Sequence, residues 1–445
     1  MPALPILLVA LGIVVVGILG LRLHPFLILI VTAIVVVALA PPPPGLSAGA
    51  TIGPRVAEGF GRAALDVGIP VTMATILGRC LLVSRGAERI VIALTSALGP
   101  GRTPIAFTFA GLILGVTMLP QAVLSLLLPL AKEAYRATGG HYLLLLLSIV
   151  AGATMTPALV PPAPGPLFVA DLFGVDLLVA MRQGMIVGSL SALAGLAFAR
   201  RADRLGAIPL RDMADSAPPA RLPALPSLPA ALFTILLPVA LIALGASARW
   251  LPEGVAGPAR ALGDKHVALT LGALAAVVLA ISGRGGRTNA PVAIREGVVE
   301  AGEVVLVIAA GGALGRALEQ AGVAGLAAAA LPADQRFLIP AAFAITAILR
   351  TALGSATVAM ITAAGIVAPI AAGIDLPWHP VYLVLAIGCG SKFGMWMNDS
   401  GFWTIARMGG LTEVETLRTA SVMITLEGFV GLIATMILAA IWPLV

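Results

Sequence analysis

The sequence predicts an all-α polytopic membrane protein, and three observations carry that expectation: scarce charge, repeated helix-length apolar runs and an internal repeat. Of 445 residues, 59% are hydrophobic and 11% charged, with a mean hydropathy of +1.06. A soluble domain carries roughly 25% charge. Uncharged runs at 1–21, 103–131, 142–170, 222–248 and 351–374 each reach the roughly 20 residues that take a helix across hydrocarbon. Shorter apolar runs at 26–54, 183–199, 267–283, 337–349, 380–391 and 419–442 raise the expectation to about 11–13 membrane segments, some re-entrant.

Taken in order, the first run has no basic residue before Leu4 and no small-residue cleavage site after Leu21. It is expected to stay as the first helix rather than to be removed as a signal peptide. Pro41 to Pro44 close the apolar part of the second run and open a loop. Arg200, Arg201, Arg204, Arg211 and Arg221 gather in one loop, and Arg284, Arg287 and Arg295 in another. Two helix-length runs and a mixed-charge loop from Arg249 to His266 separate them, so both basic loops are expected on the cytoplasmic side. The net charge of +6 then reflects orientation, and no nucleic-acid partner is expected. Pro218, Pro219, Pro223, Pro226 and Pro229 cannot continue a helix and mark a linker between halves. Cys80 and Cys389 lie in apolar sequence and read as small buried hydrophobes.

Self-similarity divides the chain further. Leu77-Gly78-Arg79-Cys80-Leu81 resembles Leu314-Gly315-Arg316-Ala317-Leu318, Pro104 to Phe107 resembles Pro340 to Phe343, and Leu128 to Ala131 resembles Ala368 to Ala371, at separations of 237, 236 and 240 residues. Three pairs in order at one offset argue for duplication. The resulting division is 1–66, N-terminal membrane helices and a loop; 67–200, first repeat; 201–227, basic proline-rich cytoplasmic linker; 228–297, linking or scaffold helices; and 298–445, second repeat. Duplicated halves are a construction of secondary transporters, whose substrate site lies where discontinuous helices of the halves meet. Interruptions fall in pairs: Gly115 to Gln121 against Arg350 to Ser355, and Thr154 to Pro157 with Pro161 to Pro166 against Gly388 to Ser391 with Asn398-Asp399.

The segments Leu353 to Pro369 and Asn398-Asp399-Ser400-Gly401-Phe402-Trp403 closely resemble the signature regions of the gluconate permease (gluconate:proton symporter) family, as a divergent member. Ser84 to Glu88, Val160 to Pro166 and Gly311-Gly312-Ala313 extend the resemblance from about residue 70 to the C-terminus. It implies a multi-pass permease of the bacterial inner membrane that takes up aldonic or related hydroxy acids with protons, within the ion-transporter superfamily. It also implies two inverted repeats with paired re-entrant helical hairpins, a scaffold and a transport domain working as an elevator, and a homodimer. The chain departs from the family at Gln121, where members carry an acid after two aromatics, at Pro157, where His follows Thr, and at Ala163, where His or Thr stands between prolines.

A sugar acid offers one carboxylate and several hydroxyls, and Ser, Thr, Asn and Gln match them without burying net charge. The candidates are Thr351, Gly354, Ser355, Thr357 and Asn398 from the second half and Thr117, Gln121, Ser125, Thr154 and Thr156 from the first. Backbone N–H groups near Gly354-Ser355 would face the carboxylate, aided by the helix dipole. Asp399 is the leading candidate for proton coupling, its alternatives being an ion pair with Lys392 or a helix cap. Glu427, the acid of the 419–442 run, is either a relay or an arginine partner. Arg350, beside the hairpin, can attract the anion, whereas Arg79 and Arg316 read as snorkelling or scaffold-paired.

His24, His141, His266 and His379 are scattered at the ends of runs, so no metal cluster or cofactor is expected. Gly45-Leu46-Ser47-Ala48-Gly49 fits Gly-x-Ser-x-Gly but follows four prolines in a loop, without the strand-to-helix turn of a nucleophile elbow. The expected activity is therefore transport, not catalysis, with H⁺ as the coupling ion. The alternative is a sodium-coupled carrier of carboxylates or hydroxy amino acids, since carbonyl and hydroxyl oxygens also coordinate Na⁺.

Overall fold

Helix is the regular structure throughout the described residues, as expected where backbone groups have no water to bond and must pair within their own segment. The computed structural model describes residues 3–17, 21, 23–41, 48–138, 140–206, 208, 210–211, 225–283, 286–323 and 337–444. Pro218, Pro219, Pro223, Arg221, Arg284 and the Gly45 to Ser47 part of the Gly-x-Ser-x-Gly stretch lie outside them. The first half comprises α1 (Ala3–Val15), α2 (Pro25–Leu39), α3 (Ala48–Val83), α4 (Gly86–Leu98), α5 (Thr103–Gly115), α6 (Pro120–Thr138), α7 (Tyr142–Leu159), α8 (Pro164–Leu172) and α9 (Leu177–Leu205). Then come α10 (Leu228–Ala246), α11 (Glu253–Gly263), α12 (Lys265–Ser282), α13 (Gly286–Gln320), α14 (Leu338–Leu353), α15 (Ala356–Ala371), α16 (Val381–Gly390), α17 (Ser400–Gly409) and α18 (Glu413–Thr416). A π-helical turn, Leu417–Ser421, joins α18 to α19 (Val422–Ile441). Among the described residues seven helices are long and apolar enough to cross a membrane, and six more are apolar but shorter.

The division points at 66/67 and 297/298 fall inside α3 and α13. Both run on through Pro54, Pro70 and Pro291, because neighbouring helices supply what an interior proline takes from a helix. Three of the long uncharged runs are split. The 103–131 run breaks between α5 and α6. The 142–170 run breaks at Val160 to Ala163, where Pro161-Pro162 is cis and Pro164 begins α8. The 351–374 run breaks at Gly354, which is left-handed with φ +74° and sends its N–H to Arg350 O at 3.1 Å. Ser355 follows in an extended conformation and accepts from Val358 N at 3.4 Å, capping α15. Glycine suits this point twice over, since a Cβ on Gly354 would also run into Asn398 O.

α3 lies along α13, with α2 and α12 packed on that pair. Elsewhere α5 packs on α7 and α14 on α16, while α9 and α19 pack on each other and on α7 and α16 respectively. Every residue of α16 is buried, and nearly every residue of α7, the pattern of helices enclosed on all sides. α5 and α7 touch backbone to backbone: Thr108 Oγ1 donates to Ser148 O at 3.1 Å, and a Cβ on Gly152 would overlap Thr108 O. Small residues let membrane helices approach this closely. α10 and α12 leave Phe233, Leu236, Leu274 and Val278 exposed, the outward apolar surface that lipid requires. Cys80 and Cys389 are free and fully buried.

Candidate functional site

The helix breaks converge. α8 packs on α15, and α17 packs on α6, so the short piece after each second interruption meets the other half of the chain. Between them lies a cavity of about 410 Å³, inside the roughly 300–1,000 Å³ range of small-molecule sites. Its walls take Pro120 and Gln121 from the start of α6, Ser355, Ala356 and Thr357 from the start of α15, and Asp399, Ser400 and Gly401 from the start of α17. Three helix N-termini thus open on one space, each bringing the positive end of its helix dipole.

Arg350 is 3% exposed. Its Nε donates to Ser391 O at 2.8 Å, its Nη2 is ion-paired with Asp399 Oδ2, and its buried Nη1 has no partner among the described residues. Asp399 Oδ1 accepts from Gly401 N at 2.7 Å. The carboxylate therefore caps α17, and its ion-pair partner is Arg350 rather than Lys392. Lys392 also reaches the cavity, 7% exposed and without an ion pair within 4 Å among the described residues. Gln121 lines the same wall with its buried Oε1 unpaired. A buried donor or acceptor left unmet costs about 1–3 kcal/mol, so Arg350 Nη1 and Gln121 Oε1 mark polar groups held beside the cavity without a protein partner among the described residues.

The expected site residues separate on this map. Gln121, Thr154, Arg350, Gly354, Ser355, Thr357 and Asp399 line the cavity together. Thr117 lines a smaller adjoining space near Pro162 and Ala163, which Thr357 also borders. Thr351 and Asn398 lie on the far side of the α14–α15 break, in a separate groove with Trp396 and Phe429. Asn398 Nδ2 donates to Thr351 O at 2.9 Å and Ala352 O at 3.2 Å, and Trp396 Nε1 donates to Thr351 O at 2.7 Å. These bonds satisfy the last carbonyls of α14 and tie the two second-half breaks together. Ser125 is exposed and donates to Ala122 O at 2.8 Å. Thr156 is fully buried with its hydroxyl unpaired, away from the cavity wall. Glu427 is buried behind that wall, its Oε2 accepting from Thr154 Oγ1 at 3.3 Å.

Arg79 and Arg316 have carboxylate partners: Arg79 holds Glu300 at 2.8 Å and Glu296 at 3.1 Å, and Arg316 holds Glu319 at 2.7 Å. Sequence reasoning considered Lys392 only as a partner for Asp399. Its signal was legible nonetheless, as the sole Lys or Arg between Asp375 and Asp399 inside apolar sequence. Glu300 and Glu303, at the α13 edge of the cavity, carried no such signal.

A cavity walled by helix starts and a buried cation pair, inside a bundle of apolar helices, defines a multi-pass membrane permease. The GntP family permease profile matches residues 3–441, and the chain belongs to that family. It is 30% identical to a gluconate permease of Pseudomonas aeruginosa over 96% of this chain and 95% of that one. It is 29% identical to the Gnt-II system L-idonate transporter of Escherichia coli over 98% and 100%, and 28% identical to the high-affinity gluconate transporter of the same organism over 98% and 99%. The fold resembles that of the Alcanivorax borkumensis YdaH transporter, with a TM-score of 0.61, 17% identity, and coverage of 94% of this chain and 98% of that one. The chain is a transporter rather than an enzyme, and its place is the inner membrane.

Proposed function

We propose that this permease is a secondary active symporter that carries a gluconate-like sugar acid, or a related small hydroxy carboxylate, together with protons. The observation that carries the reading is the cavity's polarity. Arg350, Lys392 and the positive ends of three helices give the wall a character that suits a carboxylate, while Gln121, Thr154, Ser355 and Thr357 offer two-way groups to hydroxyls. The relatives named for gluconate and L-idonate transport support the same substrate class.

In this reading the two halves are inverted repeats. α5–α6 answers α14–α15 and α7–α8 answers α16–α17, as the paired packing of α5 on α7 and α14 on α16 suggests. The broken elements are re-entrant hairpins of a transport domain, and α3, α12 and α13 belong to the scaffold on which it slides. Asp399, in the cavity wall, and Glu427, buried behind it, are the candidates for carrying the coupled proton.

Proteoliposomes test this directly. Labelled gluconate is expected to accumulate above equilibrium under an inward pH gradient without sodium. Accumulation that needs a sodium gradient, or uptake that never exceeds equilibrium, rejects proton symport.

A further inference from the structure

Asn398 borders the groove behind the cavity and not the cavity itself, yet it is bonded to the helix that delivers Arg350. Its side-chain amide has two N–H donors, and Nδ2 meets Thr351 O at 2.9 Å and Ala352 O at 3.2 Å, both in the last turn of α14. Trp396 Nε1 adds a third donor, to Thr351 O at 2.7 Å. The same loop also grips the α14–α15 break by shape. A Cβ on Gly354 would overlap Asn398 O, and one on Gly394 would overlap Thr351 Oγ1. Neighbouring residues thus bond on opposite sides of the join: Arg350 with Asp399 at the cavity, Thr351 with Asn398 in the groove.

The first half lacks such a clasp. Among the described residues no hydrogen bond joins the break at 115–121 to the segment 154–166, and Thr117, Pro157 and Pro162 border a space of about 80 Å³ that the two share. A pair of breaks can therefore fold side by side without this bonding, and the clasp belongs to the half that carries Arg350, Asp399 and the Ser355 cap. Among the described residues the other side-chain hydrogen bonds from α14 to the 391–399 loop are both made by Arg350, to Ser391 O and to Asp399.

We infer that Asn398 is a positioning residue for the anion site: with Trp396 it fixes the end of α14 against the start of α17, so that Arg350, Asp399 and the start of α15 form one preset wall. It acts through Arg350 and the Gly354-Ser355 turn, without touching the substrate. With the clasp cut, the break has more arrangements open to it, and the substrate must gather the wall at the expense of its own affinity. The inference rests on the sugar-acid reading above.

Calorimetric binding of gluconate and of its monodeoxy analogues to the purified full-length protein tests this. Asn398→Ala is expected to weaken gluconate roughly tenfold, the scale of one or two hydrogen bonds. Every analogue should weaken by the same factor, because a residue that does not touch the substrate cannot sense which hydroxyl is missing. Trp396→Phe, which removes one of the three donors, should show a smaller loss of the same uniform kind. In an Arg350→Lys background Asn398→Ala should cost less than it does alone, since the group it positions is gone. A loss that vanishes for one analogue marks a direct contact and overturns the role. Unchanged affinity beside a lowered thermal midpoint overturns it as well, as does full additivity with Arg350→Lys. Should Asn398→Ala not fold, Trp396→Phe decides: uniform loss supports the role, and unchanged or analogue-selective binding overturns it. A wild-type protein that binds no sugar acid rejects the substrate reading, and this role with it.

Discussion

Arg350 illustrates how a single residue is committed by its surroundings. Its guanidinium spends Nε on Ser391 O and Nη2 on Asp399, leaving buried Nη1 without a partner among the described residues. An ammonium cannot repeat that fork, because it is a point charge with three donors and no fixed plane. Arg350→Lys is therefore expected to keep the charge and lose the geometry. Gluconate affinity should drop roughly 10- to 100-fold, equivalent to losing about 1.5–3 kcal/mol of charged hydrogen bonding. Equilibrium binding measures this directly, and a variant that binds as the wild type does would remove Arg350 from the anion site. The sequence marked Arg350, Asp399 and Ser355 as polar residues in apolar surroundings. It could not show which of two adjacent residues faces a ligand and which faces the chain: Asn398 and Asp399 look alike in sequence, yet Asn398 caps the end of α14 and Asp399 the start of α17.

At the scale of elements, the helix breaks were legible because their causes are local. Proline denies a helix its donor and clashes with the turn before it, and glycine followed by serine ends one helix and begins the next. The breaks at Gly354-Ser355 and Val160 to Ala163 carry those signatures in the sequence itself. The ends of α3 and α13 were less legible, since Pro54, Pro70 and Pro291 signal interruption and only tertiary packing overrides them. Close helix approach was not legible at all, because glycines such as Gly53 and Gly152 differ only in what faces them. Nothing lies within 4 Å of a Cβ on Gly53, whereas one on Gly152 overlaps the Thr108 carbonyl. Gly152→Val is expected to lower the thermal midpoint by several degrees, since overpacking against backbone costs about 1–3 kcal/mol or more. Gly53→Ala should leave it unchanged or raise it slightly, a helix interior favouring Ala by about 1 kcal/mol. Thermal unfolding of the two variants in one detergent checks the contrast.

For the whole molecule, the question is which parts move against which. The Lys265 ammonium at the start of α12 is ion-paired with Asp171 at the end of α8, and Asp66 of α3 lines the same charged recess as Asp171. That contact joins a broken-helix element to the long helices, so it lies on the boundary across which an elevator would slide. Partly exposed ion pairs of this kind hold little energy, which suits a contact that forms at one end of a cycle and opens at the other. If α8 travels relative to α12, fixing the two together should stop transport without unfolding the protein. The cysteine pair Asp171→Cys with Lys265→Cys, bridged by a short thiol crosslinker, is expected to abolish gluconate uptake and to recover it on cleavage of the bridge. Cys80 and Cys389 are fully buried and should not compete for the reagent. Each single-cysteine variant treated in the same way should retain uptake. Undiminished transport by the bridged pair would mean that α8 and α12 move as one body, and the boundary between scaffold and moving domain would then have to be drawn elsewhere.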